Sequence, residues 1–201
     1  MNETAMEQVK EIPKILIYEE FDGHPIYRKG YKDYVLGVKK IEEINMGTSQ
    51  LQWVITNIIN AHLVRTLPKG FRFGPGELGV HVTKGTNFSA DIAIYRKGQL
   101  KTDLSSVHYS KTPPSVVVEV DIKADESNYF QSEEDYFQRK TERLLQWGVE
   151  RVIWVFSSSR RVLVADNLQK WEFIAWDLPF VVIDDHEINL WDLMLEDGFQ
   201  A

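Results

Sequence analysis

The chain has 201 residues, of which 43% are hydrophobic and 26% are charged, and it contains no cysteine. These proportions are those of an ordinary globular protein, and the lack of cysteine excludes a disulfide framework and a thiolate metal site. The net charge of −7 weighs against a protein that coats nucleic acid, because such binding neutralises many phosphates. It leaves open an enzyme that meets nucleic acid through a local patch.

The length predicts a single domain over residues 1–201, with the polar residues 1–12 as a flexible tail. The N-terminus has no apolar segment typical of a secretion signal. No apolar run approaches the roughly 20 residues that cross a bilayer. We therefore expect a cytoplasmic protein with no membrane partner.

The first half of the chain contains one clear helix and several extended segments. Residues 13–19 alternate like a short strand, residues 24–29 lie among turn residues, and residues 31–44 form a short amphipathic stretch. Thr48 or Ser49 can begin a helix whose apolar residues recur at helical spacing. That helix ends before Pro68 and Gly70, and two extended segments follow, at residues 71–83 and 91–95.

The second half contains the strongest predicted strand. Pro113 and Pro114 introduce the segment SVVVEVDIK, and tandem prolines favour an extended backbone. Ser132 and Asp135 begin a helix that runs to Trp147 and stops at Gly148. The remaining predicted elements are a hairpin of residues 151–156 and 162–165, extended pieces at 170–176 and 180–183, and a short helix at 190–195.

This order of elements predicts an α/β protein, with a mixed sheet and helices packed against it. The strand that ends at Lys123 and the strand of residues 91–95 should be neighbours in one sheet. The helix of residues 132–147 should cover the purely aliphatic face of the first of these strands.

A cluster of charges lies at the end of that strand. Because side chains alternate along a strand, Glu119, Asp121 and Lys123 share one face, while the valines and Ile122 share the other. Carboxylates of this kind bind hard cations such as Mg²⁺, and a lysine beside them can stabilise charge on a phosphoryl group. Asp91 is the best acid from another strand to complete the site. The alternative is a solvated or salt-bridged strand edge.

These residues resemble those of the PD-(D/E)xK nuclease superfamily, and more narrowly the Uma-type family of restriction endonuclease-like proteins, formerly a domain of unknown function. The resemblance covers most of the chain. The fragments that carry it are GTSQLQWVITNIINAHL, ELGVHVTKGTNFSADIAIY, PPSVVVEVDIKAD and YFQRKTERLLQWGVERVIWVF. It implies a restriction-endonuclease-like core with flanking helices. It also implies hydrolysis of DNA phosphodiester bonds with Mg²⁺ or Mn²⁺, in a protein that can form a homodimer.

The resemblance also implies roles for individual residues. Asp91 matches the first acid and Glu119 the second, and with Asp121 they would hold the metal. Asp121 stands where the superfamily has lysine, so the catalytic lysine is either Lys123, shifted along the strand, or Lys140 on the following helix. Glu77 matches an accessory metal ligand, or is a solvated carboxylate beside a turn.

Two departures from the family pattern are Ala90, where a proline is usual, and Leu144, where a tyrosine is usual. An alternative function is therefore a catalytically inactive protein that uses the same fold for binding or assembly. A third alternative, an unrelated small-molecule-binding domain, would have a deep apolar pocket without clustered acids.

Lys140 lies on the same helix face as Tyr136 and Leu144, the face expected to meet the sheet. A lysine there must either extend its ammonium to solvent or reach an acid. In the second case it would contact Glu119 and Asp121, and Lys140→Met should reduce activity while the fold stays intact.

Overall fold

The computed structural model describes residues 11–44, 47–100 and 107–199. Of the predicted N-terminal tail, residues 1–10 lie outside the described residues. The strands are β1 (Ile17–Phe21), β2 (His24–Arg28), β3 (Phe71–Thr83), β4 (Thr86–Arg96), β5 (Val116–Val120), β6 (Ala124–Asp125), β7 (Arg151–Phe156), β8 (Arg161–Ala165), β9 (Trp171–Ala175), β10 (Phe180–Ile183) and β11 (His186–Ile188). The helices are α1 (Tyr31–Val35), α2 (Gln50–Thr66), α3 (Glu133–Trp147) and α4 (Leu190–Glu196).

Most of the described strands form one mixed sheet. Its order is β6-β2-β1-β4-β5-β7-β8-β9, with β3 paired to β4, while β10 and β11 form a separate hairpin. β5 and β7 are parallel and are joined through α3, whereas β4 and β5 are antiparallel. Parallel neighbours need such a crossover connection. The ends of β5 and β7 therefore lie at the same edge of the sheet.

Helices cover both faces of the central strands. α3 packs on one face, where Tyr136 and Leu144 meet Val117 and Trp154. α2 and α4 pack on the other face, against Val118 and its neighbours. Every residue of β5 is buried as a result, which explains its nearly uninterrupted run of valines. The predicted α/β class and the pairing of β4 with β5 are confirmed. Helix α3 packs on the sheet as predicted, but on the Val117 face; the aliphatic face of β5, which α3 was expected to cover, is covered by α2 and α4 instead.

The predicted ends of the two long helices are also confirmed. The Ser49 hydroxyl accepts from the backbone N–H of Gln52 at 3.2 Å, and the Gln52 side chain accepts from the Ser49 N–H at 3.0 Å. Ser132 caps α3 through the backbone N–H of Asp135, and Gly148 ends it with a φ of 114°. The Gln52 amide then donates to the Val120 carbonyl at 2.9 Å, which fixes the start of α2 at the end of β5.

The N-terminal hairpin was not predicted. Residues 24–29 were expected among turn residues, but His24–Arg28 is strand β2, paired antiparallel with β1. The turn between them is Asp22-Gly23, with positive φ angles of 51° and 84°. The Asp-Gly dipeptide suits a two-residue hairpin turn. It indicates the hairpin in the sequence, whereas the pattern of apolar residues does not.

Within the described residues, no helix combines the length and the apolar character that a bilayer crossing requires.

Candidate active site

Two carboxylates lie side by side in the middle of the sheet. The β4–β5 register pairs Ile92 with Val118, so its continuation by one residue sets Asp91 opposite Glu119. Directly opposed residues on one face have Cβ atoms about 4.5–5.5 Å apart. The exposed fractions are only 6% for Asp91 and 2% for Glu119. Burial at such short range makes the two carboxyl groups interact strongly.

Asp91 connects β4 to the residues that follow β5. Its Oδ2 accepts a hydrogen bond from the Val120 backbone N–H at 2.9 Å, and its Oδ1 contacts the Lys123 ammonium. Burial lowers the pKa of Lys123, but the attraction of Asp91 outweighs it and leaves the pKa above the usual value. Lys123 is therefore a permanent cation at neutral pH, and it partly neutralises Asp91.

Lys140 lies between two further carboxylates. Its Nζ is 2.7 Å from Glu19 Oε1 and 2.9 Å from Glu119 Oε1, and only 1% of the residue is exposed. The ammonium also donates to the Ser89 carbonyl at 3.1 Å. Burial alone would lower the pKa of Lys140, but Glu119 and Glu19 raise it above the usual value. The ammonium thus reaches acids rather than solvent.

Glu19 was not predicted from the sequence as a member of the site. Its carboxylate accepts from the Tyr136 hydroxyl at 2.6 Å and from the Ser89 backbone N–H at 2.9 Å, in addition to the ion pair with Lys140. The Glu19 carboxylate thus has three donors, two of which belong to side chains of α3. The available signal was the buried lysine itself, which requires a carboxylate, but the sequence does not say which acid of the distant strand β1 supplies it.

Of these acids, Glu119 has the fewest interactions that stabilise a negative charge. Burial raises its pKa most, Lys140 opposes this, and the charges of Asp91 and Glu19 add to the rise, so that the pKa reaches about 8. Lys140 is an ion-pair partner of Oε1, yet this buried oxygen receives no hydrogen bond of good geometry. The Glu119 carboxyl group therefore keeps its proton to a higher pH than an ordinary carboxyl group does.

The raised pKa of Glu119 predicts a stability that falls with rising pH. The ordinary carboxyl pKa is 4.5, so between about pH 4.5 and 8 the unfolded chain has lost this proton while the folded chain retains it. Ionisation therefore favours unfolding across this range. In thermal melting without metal, the melting temperature of Glu119→Gln minus that of the wild type should increase by roughly 4 °C or more as the pH rises from 4.5 to 8. A difference between the two melting temperatures that does not change with pH would contradict the assignment.

Asp121 does not join the other acids, contrary to the prediction. β5 ends at Val120, and Asp121 takes a positive φ of 56°, so the alternation of a strand no longer applies to it. Its carboxylate accepts from the backbone N–H of Ser157 at 2.7 Å and from the Ser157 hydroxyl at 2.6 Å. Asp121 thus fastens the β7–β8 turn to the end of β5.

Asp121→Ala should therefore reduce the free energy of unfolding by about 2–3 kcal/mol, because the Ser157 donors lose a charged acceptor. Asp121→Asn should lose only about 1 kcal/mol, since asparagine keeps a side-chain oxygen and tolerates positive φ. Urea denaturation measures both values. A stability of Asp121→Ala equal to that of the wild type would refute this role.

Glu77 lies at the exposed rim of the site. It is 3.3 Å from Lys123 Nζ and 3.6 Å from Arg28 Nη2, and its side chain is 36% exposed. It is therefore linked to Asp91 through Lys123. The structure brings together Asp91, Glu119, Lys123, Lys140 and, at the rim, Glu77.

The fit of a divalent metal rests on two carboxylates rather than three. No group of three or more histidine and acidic side chains within residues 11–44, 47–100 and 107–199 is placed to hold a metal ion. Mg²⁺, however, usually takes one or two carboxylates and completes its shell with water and substrate phosphate. Asp91 and the unsatisfied oxygen of Glu119 provide such a pair, so the residues present fit the ion.

Comparison with known proteins agrees with the fold. No protein-family model and no curated protein matches the sequence. The structure is similar to a crystal structure of a "putative nuclease belonging to DUF820" from Anabaena variabilis ATCC 29413. The TM-score is 0.60 over 88% of this chain and 89% of that chain, at 14% sequence identity. At this identity the likeness establishes a shared fold.

Proposed function

We propose that this chain is a divalent-metal-dependent nuclease that hydrolyses phosphodiester bonds of DNA. The observation that carries the proposal is the pair of buried carboxylates, Asp91 and Glu119, with Lys123 and Lys140 against them in a nuclease-like fold. Two acids and a lysine are the groups that bring a metal ion and a phosphate together. A homodimer remains a prediction.

Asp91 and Glu119 are the residues that would hold Mg²⁺ or Mn²⁺. Such an ion, when bound, polarises a phosphoryl oxygen and lowers the pKa of its water. Glu119 must give up its proton to act as a ligand, so its raised pKa makes metal binding weaker at low pH.

The two lysines take different roles in this proposal. Lys123 lies next to Asp91 and the partly exposed Glu77, and it stays protonated, so its ammonium can donate to a phosphate oxygen. Lys140 is buried and has Glu19, Glu119 and the Ser89 carbonyl as partners. It therefore orients Glu119 as a positioning residue and does not touch the substrate.

One observation favours a catalytically inactive alternative. The Lys123 ammonium already contacts Asp91 Oδ1, and the Val120 backbone N–H already donates to Asp91 Oδ2. Oxygens satisfied by protein donors need no metal. In this alternative the charge cluster only stabilises the fold, and the chain is a binding or assembly module.

A plasmid-nicking assay with Mg²⁺ or Mn²⁺ separates the two functions. The wild type should nick supercoiled DNA only with metal, and Asp91→Asn should reduce the rate by about 100-fold or more, as does the loss of groups that stabilise transition-state charge. The matched control is Asp184→Asn, because Asp184 pairs with Arg96 away from the site. No cleavage by the wild type with either metal would favour the inactive module. Equal cleavage by both variants would remove Asp91 from the site.

A further inference from the structure

The β7–β8 turn lies at the same edge of the sheet as the acid cluster. β5 and β7 are parallel, with Val120 paired to Val155, and the Asp121 N–H donates to the Val155 carbonyl at 2.9 Å. The turn that follows β7 is then held by the bonds from Ser157 to Asp121. Residues of this turn are therefore fixed relative to Glu119, two positions before Asp121.

The turn holds Arg160 in an uncommon conformation. Its φ is +52°, a region that residues with a side chain adopt rarely and at some cost. Trp176 supports this geometry, because its backbone N–H donates to the Arg160 carbonyl and its indole N–H to the Arg161 carbonyl, both at 3.2 Å. The Arg160 guanidinium lies over the Trp191 ring, 5.1 Å from its centre. The surrounding contacts thus maintain a strained arginine at the surface.

Arg160 and Arg161 border a cavity, and neither has an ion-pair partner in the part of the chain that the structure describes. The cavity has a volume of about 370 Å³, and its lining includes Ser159, Arg160, Arg161, Asp177 and the two tryptophans. Two positive charges against one carboxylate leave the cavity net positive, in a chain whose total charge is −7.

We infer that this cavity binds a backbone phosphate of the DNA strand whose scissile phosphodiester lies at Asp91 and Glu119. The inference rests on the proposed function and extends it to how the substrate is held. A guanidinium presents a planar fork of donors that matches phosphate, and a serine hydroxyl can add a further hydrogen bond.

The spacing suits a single strand of DNA. Arg161 pairs with Phe156 of β7, and β7 lies next to β5, so Arg161 is two strand spacings from the end of β5. Two spacings are about 10 Å. This equals the axial rise of about three nucleotides in one strand. The cavity lies on the α4 side of the sheet, because Trp176 and Trp191 pack there, whereas Asp91 and Glu119 face α3. A DNA strand that passes over the ends of β5 and β7 from one face to the other can contact the arginines and the acid cluster together.

The test compares two double variants that remove the same charge. Arg160→Gln with Arg161→Gln removes the proposed phosphate donors and keeps the side-chain stems. Arg65→Gln with Lys69→Gln is the control, because Arg65 lies in the last turn of α2, about 22 Å from the helix start. Binding of a short DNA duplex is measured in EDTA at several salt concentrations, and thermal melting confirms that each variant folds.

We expect the Arg160/Arg161 variant to bind DNA about 10-fold more weakly than the control variant. Its slope of log affinity against log salt should be smaller by about 0.9 for each phosphate that the protein no longer neutralises. Equal affinities and slopes in the two double variants would overturn the inference. The inference would also be overturned if inorganic phosphate stabilised the wild type while the two double variants bound DNA equally well. That outcome would identify a site for free anions.

Binding in EDTA does not require catalysis, so the two proposals fail separately. If the wild type binds DNA through these arginines but never nicks plasmid, the proposed nuclease function is refuted and the proposed phosphate site is retained. The reverse holds if the wild type nicks plasmid and the Arg160/Arg161 variant equals its control.

Discussion

Replacing Lys140 with methionine is expected to lower the free energy of unfolding by about 3–5 kcal/mol, because the change leaves Glu19 as a buried carboxylate without its cation. The two groups are 2.7 Å apart, and the side chains of both are almost completely buried. The sequence alone suggested that this variant would keep the fold intact, since the methionine stem replaces the packing. The buried ion pair with Glu19 changes that expectation, and urea denaturation measures it.

A second substitution should restore much of this stability. Adding Glu19→Gln to Lys140→Met removes the unpaired charge, so the double variant should regain at least about half of the loss. Arg143→Met is the control on the same helix, because its ion pair with Asp22 is largely exposed and should contribute about 1 kcal/mol or less. A Lys140→Met variant no less stable than Arg143→Met would show that the buried network does not hold α3 to the sheet.

Lys123→Met is expected to change metal binding and cleavage in opposite directions. The Lys123 ammonium lies against Asp91, so its removal takes away a charge that repels an incoming cation. A lysine this close to a carboxylate shifts cation binding by that carboxylate by about one to three log units. Without the Lys123 ammonium, Mn²⁺ should therefore bind at least about 10-fold more tightly. Cleavage should nevertheless slow by about 100-fold, because the phosphate loses its ammonium donor.

Calorimetry with Mn²⁺ and the nicking assay provide the two readouts. Lys39→Met is the matched control, since Lys39 forms an exposed ion pair with Asp33 far from Asp91 in the chain, and it should leave both readouts unchanged. Weaker metal binding together with slower cleavage in Lys123→Met would mean that Lys123 supports the acids rather than the substrate.

The sequence predicts most of the central fold because local signals and packing agree there. The aliphatic face of β5 requires a helical cover, which α2 and α4 supply rather than the expected α3, and the caps at Ser49, Ser132 and Gly148 fix the ends of the helices. Strand β2 was not predicted, because its apolar and polar residues do not clearly alternate and its pairing with β1 depends on the turn at Asp22.

The site is predicted less completely than the fold, for two physical reasons. Alternation assigns faces only while a chain remains a strand, and one positive φ at Asp121 turns its carboxylate to Ser157. Contacts between distant residues also leave no local pattern, and 121 positions separate Glu19 from Lys140. The sequence predicts that a buried Lys140 needs an acidic partner, but it does not predict that this partner is Glu19.

The most direct test of the proposed site is whether a metal ion displaces the proton of Glu119. Isothermal titration calorimetry with Mn²⁺ near pH 7, in two buffers of different ionisation enthalpy, counts the protons released on binding. Because burial and the neighbouring acids raise the pKa of Glu119, the wild type should release a proton on binding the ion. Glu119→Gln should bind more weakly and release none. Absence of binding in the wild type, or binding without proton release, would contradict a metal site at Asp91 and Glu119.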